Sequence, residues 1–156
     1  MRIYADSSFI LRLLTIDPES EEAMSEYRRL GCPRLFFLPL HALEVRNGIL
    51  QRAFHERRSL SSGARPDVAR ERDAALARLR AFIDRRNLIE VTLDLEAPLA
   101  KAVQLAQAHT ERSGTRAIDL LHVACALALE SELFLTTDDR QARLAKAEKL
   151  NVISLA

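Results

Sequence analysis

The sequence predicts an α/β domain built around a largely parallel five-stranded sheet. Short apolar runs of strand length alternate with longer runs of helical period, the pattern of strands linked by helical crossovers. Proline, glycine and aspartate fall at the joins, where chain breaks and helix starts require them. No internal repeat or second set of elements interrupts the alternation.

The strand candidates are residues 2–5, 35–38, 88–93, 133–136 and 152–155. Helical stretches run over 7–15, 18–30, 39–57, 66–86, 95–112, 116–130 and 139–147. Several boundaries have a mechanism. Gly31 follows the last periodic residue of its helix, as a C-terminal stop does. Pro39 and Pro98 fall in first turns, where a missing N–H costs nothing. Asp94 is placed to cap the helix after it. Gly114 and Thr115 separate two helical runs, with Thr115 as the expected cap of the second. Only residues 59–66 have loop composition, and Arg57, Arg58, Arg65, Arg70 and Arg72 surround them. This crossing between two helices reads as a substrate arm, a partner-binding clip or a solvated segment.

A length of 156 residues suits one domain, 1–156, with one sizeable core. With 48% apolar and 29% charged residues the chain is globular and not disordered. A net charge of +1 excludes a global field that would mark a nucleic-acid binder. Arg heavily outnumbers Lys, which suits bidentate phosphate contact but also follows from GC-rich coding. Cys32 and Cys125 form no CxxC pair and read as reduced, packed thiols. No signal-like apolar region precedes Asp6, and the apolar stretch 117–129 is broken by Asp119 and His122. A cytoplasmic protein with no membrane contact is expected.

Four carboxylates stand out. Asp6 and Asp138 each close a strand run, and ligands of parallel α/β sheets bind beyond the carboxyl ends of strands. If the first and fourth strands are neighbours, the two side chains meet. Asp119 lies in the first turn of a helix that is apolar all round, where the macrodipole favours an anion. It reads either as a simple cap, worth roughly 1 kcal/mol, or as a third member of the site. Glu44 lies opposite the stripe formed by Ala42, Leu43, Val45, Ile49, Leu50, Ala53 and Phe54. Its default reading is a surface residue, although Gly48 one turn on leaves space for a ligand or a backbone. Asp139 points elsewhere and serves the first turn of the last helix. Carboxylates beside buried segments need compensation, and a hard divalent cation supplies it. The chain therefore reads as a metal-dependent enzyme.

The segments Tyr4-Ala-Asp6-Ser-Ser-Phe-Ile-Leu, Leu43-Glu44-Val-Arg-Asn-Gly48, Ala117-Ile-Asp119-Leu-Leu-His122-Val-Ala-Cys-Ala and Leu135-Thr-Thr-Asp138-Asp-Arg-Gln141 occur in this order. In that order they resemble the PIN-domain ribonucleases, particularly the toxins of VapBC-type toxin–antitoxin pairs. The resemblance covers essentially the whole chain and implies a three-layer PIN-like fold, helices flanking the sheet. It implies that Asp6, Glu44, Asp119 and Asp138 are the acidic quartet holding Mg²⁺ or Mn²⁺, with Ser8 and Thr137 supporting them. It also implies endoribonuclease activity leaving 5′-phosphate and 3′-hydroxyl ends, a homodimer, and a cognate antitoxin that enters the acidic cleft. The 59–73 region looks longer than in the shortest relatives. Arg116, near Asp119, is a candidate phosphate contact or a plain salt bridge.

Rival features are sparse. His122 is one turn from Asp119 and reads as a packed residue before a catalytic base. His41, His55 and His109 have no ligand spacing, and there is no GxGxxG, P-loop or GxSxG. The start Asp6-Ser-Ser8 lacks the second Asp of a DxD phosphatase. Two alternatives stay open: a non-catalytic PIN-like module that binds RNA or protein, and a metal-dependent phosphohydrolase with a deep closed pocket.

Overall fold

The computed structural model describes residues 1–59 and 65–156. Among them are five strands and seven helices of an α/β fold, close to their predicted spans except the third strand, which ends at Glu90 and not at residue 93. Residues 60–64 of the predicted crossing lie outside the described residues. The chain forms two compact units, one of residues 1–9 and 91–156 and the other of residues 10–90.

In the first unit three strands run parallel: β1 (Ile3–Ala5), β4 (Leu133–Thr136) and β5 (Val152–Ser154). Ile3, Tyr4 and Ala5 are all buried, so β1 shows no alternation of apolar and polar positions, as a strand covered on both faces should. The Tyr4 ring stacks on its register partner Phe134, centroids 5.5 Å apart. The ladder continues past β1, where the Asp6 amide donates to Leu135 O at 2.9 Å. Register pairs Ala5 with Leu135, so the next residues, Asp6 and Thr136, fall side by side at the carboxyl end.

Three helices belong to this unit. α5 (Glu96–Leu105) continues through a wide turn, Ala106–Thr110, to a final turn that Gly114 ends at φ 63°. Asp94 accepts from the Glu96 amide at 3.1 Å, one residue before the observed cap position, Leu95. α6 (Ala117–Ala128) packs on α5 and buries Asp119, Leu120, His122 and Val123 through Ala126. Its cap position is Arg116 and not Thr115, whose hydroxyl bonds Ser113 instead. α7 (Asp139–Ala147) is capped by Asp138. Glu148, just beyond α7, is held by Lys101 and His109, which keep its carboxyl below the usual range against a smaller opposing effect of burial.

In the second unit β2 (Leu35–Phe37) and β3 (Leu88–Glu90) pair in parallel. α1 (Ser7–Leu14), whose first three residues belong to the first unit, leads into α2 (Pro18–Arg29), which Asp17 caps by accepting from the Ser20 amide at 2.8 Å. Gly31, at φ 80°, and Cys32 close α2 in a left-handed turn, the expected glycine stop. Cys32 is exposed, not packed as predicted, because it belongs to this turn. Cys125 is buried, and burial lifts its thiol to about 11.

α3 (Pro39–Ser59) packs against α4 (Arg65–Asp84). The buried face of α3 is His41, Val45, Ile49 and Ala53, narrower than the predicted stripe. Leu43, Leu50 and Phe54 are half or more exposed. At Gly48 a Cβ would meet a methyl of Leu11 at 3.0 Å, so the packing of Leu11 favours glycine there. Among the described residues no helix is long and apolar enough to cross a membrane.

Candidate active site

Asp6 begins the site. It lies where β1 ends and α1 begins, and it is 1% exposed. One carboxylate oxygen, Oδ1, accepts from the Phe9 amide at 2.8 Å and from the Ser8 hydroxyl at 2.7 Å. The other, Oδ2, accepts from the Thr136 hydroxyl at 2.5 Å. Burial pushes the Asp6 carboxyl above the usual carboxylate range, and these three donors only partly offset it. A buried carboxylate with this bias is stabilised as an anion by any cation brought near it.

Asp138 is tied to the same hydroxyl. Its amide donates to Thr136 Oγ1 at 2.9 Å, so a single side-chain oxygen links Asp6 to the residue that closes β4. The Asp6 side chain and the Asp138 backbone are therefore joined through Thr136. Asp138 Oδ1 caps α7, accepting from the amides of Arg140 and Gln141 at 2.8 and 3.2 Å. Its Oδ2 faces cations, Arg116 Nη2 at 3.2 Å and Arg140 Nη2 at 3.8 Å. Asp139 turns away and pairs with Arg143, as its neighbouring position implied.

Asp119 is buried in the first turn of α6, its side chain 6% exposed. Oδ2 accepts from the Arg116 amide at 3.2 Å and from Arg116 Nε at 3.1 Å. It therefore serves the helix start, as the simpler reading held, and also faces Asp138 across a guanidinium. One cation, Arg116, holds both carboxylates.

Ser8 and Thr137 lie beside Asp6. Ser8 Oγ donates to Asp6 and accepts from the Thr137 amide and hydroxyl at 3.1 and 2.8 Å. Thr136 and Gln141 were missed. Thr136 is fully buried, and Gln141 lies within 3.4 Å of both the Thr136 hydroxyl and the Asp119 carbonyl. Only the strand period could have flagged Thr136: Asp6 and Thr136 follow consecutive register pairs. His122 is packed, with Nδ1 bonded to Tyr4 OH at 2.7 Å and Nε2 to Ser7 Oγ at 3.3 Å. Glu44 belongs to the other unit, half-buried on α3.

No group of three or more His, Cys, Asp or Glu side chains among the described residues is arranged to hold a metal as the side chains stand. The donor set still suits a hard cation. It consists of carboxylate and hydroxyl oxygens, with His122 engaged at both ring nitrogens. The position between Asp119 and Asp138 already receives positive charge from Arg116.

The family model described as PIN domain matches residues 3–147. Among solved structures, the chain is similar to the crystal structure of FitAcB from Neisseria gonorrhoeae, with a TM-score of 0.62. The match has 19% identity and covers 98% of this chain and 97% of that one, a likeness of fold. No curated protein matches it.

Proposed function

The chain belongs to the PIN-domain family, and from that premise we propose that it is a metal-dependent endoribonuclease, the toxin of a toxin–antitoxin pair. PIN domains are generally nucleases, which supports hydrolysis of nucleic acid. The observation that carries the reading is the buried Asp6 carboxylate sharing the Thr136 hydroxyl with Asp138 at the carboxyl end of parallel strands.

In this reading Asp6, Asp119 and Asp138, with Glu44 by the family resemblance, hold Mg²⁺ or Mn²⁺. Bound there, the ion supplies an activated water and offsets charge on the scissile phosphate. The protein's own contribution is orientation. Phe9, Ser8 and Thr136 aim the Asp6 oxygens, and Thr137 aims Ser8. The first turn of α7 holds Asp138 by its amides. Arg116, whose side chain is 61% exposed, is the proposed contact to a substrate phosphate. RNA as substrate, a cognate antitoxin, a homodimer and a cytoplasmic setting belong to the same proposal.

A second reading has one observation in its favour. Arg116 already neutralises Asp119 and Asp138, as it would in a module that binds RNA or protein without chemistry. Purified protein incubated with RNA separates the two. The nuclease reading expects cleavage with Mg²⁺ or Mn²⁺, none with EDTA, and 5′-phosphate ends. Intact RNA under all conditions, with no metal-induced rise in melting temperature, supports the binding module.

A further inference from the structure

We infer that Arg116 is a built-in competitor for the metal: its guanidinium occupies the cation position between Asp119 and Asp138 and must leave it when a divalent ion binds. The inference rests on the metal reading above and concerns how that site is controlled. Three observations carry it.

The first is bond allocation. Arg116 reaches Asp119 Oδ2 through Nε at 3.1 Å and Asp138 Oδ2 through Nη2 at 3.2 Å, so one planar cation bridges two carboxylates from different elements. The remaining Asp138 oxygen is committed to the α7 amides. A divalent ion entering beside Asp138 therefore has to take the oxygen that Arg116 holds.

The second is asymmetry of burial. Asp119 and Asp138 side chains are 6% and 21% exposed, whereas that of Arg116 is 61% exposed. The carboxylates are anchored and the guanidinium is the part with solvent to move into. Its departure leaves the helix start intact, because the Arg116 amide keeps its own bond to Asp119.

The third is electrostatic. A guanidinium carries one charge and cannot be deprotonated, while Mg²⁺ carries two in a smaller volume. The ion wins when its concentration is high enough, and the arginine sets that threshold. Displaced from these two carboxylates, Arg116 keeps its charge at the edge of the site, where a phosphate can compete for it. Arg140, 3.8 Å from Asp138, is the secondary cation and makes only the longer contact.

The test is calorimetric titration of Mg²⁺ and Mn²⁺ into wild type, Arg116→Gln and Arg116→Lys, with circular dichroism to establish folding. Arg116→Gln should bind the ion on the order of tenfold more tightly, the loss of one moderately exposed ionic competitor. Arg116→Lys, which keeps the charge but not the two-pronged contact, should fall between. In wild type, the Arg116 Nε–H NMR resonance should shift on Mg²⁺ addition as its bond to Asp119 is lost. Equal or weaker binding by Arg116→Gln beside a wild type that binds would overturn this inference alone, as would an unmoved Nε–H signal. Absence of binding in wild type and every variant would overturn the metal reading and this inference with it.

Discussion

Replacing Thr136 by valine removes one oxygen from a fully buried side chain while keeping its shape. That oxygen donates to Asp6 Oδ2 at 2.5 Å and accepts from the Asp138 amide at 2.9 Å. Loss of the first leaves a buried carboxylate short of a donor. Loss of the second leaves a backbone N–H unpaired at the start of α7. Each unmade bond costs about 1–3 kcal/mol, the carboxylate at the upper end, so Thr136→Val should destabilise by roughly 2–5 kcal/mol. For a chain of this size that is a drop in melting temperature of about 5–15 °C. Thr136→Ser keeps the hydroxyl and loses a methyl group, costing about 1 kcal/mol.

The penalty also depends on pH. Burial already lifts the Asp6 carboxyl, and the Thr136 bond opposes that lift, so the valine variant retains its Asp6 proton to still higher pH. A folded-state pKa above the unfolded value means the folded form binds the extra proton, so stability falls as pH rises through that window. The gap between wild type and Thr136→Val should therefore narrow on acidification, where a neutral Asp6 needs its donor less. Urea unfolding of the three proteins across pH 4–8 measures this. A valine variant within about 0.5 kcal/mol of wild type, or a serine variant as poor as valine, would refute the assigned role of Thr136.

The other predictions concern single charges. Asp6→Asn should leave the metal-free protein as stable as wild type or more so at neutral pH, because a buried charge is removed while Ser8 and Phe9 keep an acceptor. A thermal melt showing loss of several degrees would count against it. For Asp17, burial raises the carboxyl, but Arg52, Ser20 and Arg12 more than offset this and hold it at about 2. Its folded pKa lies below the unfolded value, so its contribution is present above about pH 4 and lost as pH falls toward 2. Arg52→Ala should cost about 1 kcal/mol at pH 7, discounted because Arg52 is partly exposed, and the deficit should shrink by pH 2. Denaturant curves at the two pH values check the sign. Ser8→Ala should lower cleavage more than stability, since Ser8 links Thr137 to an Asp6 oxygen that Phe9 still satisfies. Equal losses in rate assays and melts would argue for a purely structural role.

Much of this was legible in the sequence. The strand that ends at Asp6 and the one before Asp138 announce themselves as apolar runs cut by aspartate, and period alone separates them from helices. Gly31, Pro39 and Asp94 mark boundaries because their backbone or side-chain chemistry allows few alternatives. What the sequence hid was pairing between distant residues. Thr136 is one of two adjacent threonines, and only the register Ala5 to Leu135 reveals which meets Asp6. Arg116 was visible as a cation near Asp119, yet its bridge to Asp138, 22 residues on, requires α6 and α7 to start side by side. The α3 stripe was drawn too wide because apolar identity does not by itself bury Leu43, Leu50 or Phe54. Nor does sequence show that Leu11 approaches Gly48 so closely that a Cβ would meet its methyl at 3.0 Å.

The most direct measurement is a calorimetric Mn²⁺ titration of wild type beside Asp6→Asn. Saturable binding by the wild type, with affinity collapsing in the asparagine variant while its melt stays intact, is the expected result. Undiminished Mn²⁺ affinity in Asp6→Asn would contradict a metal centre built on this carboxylate.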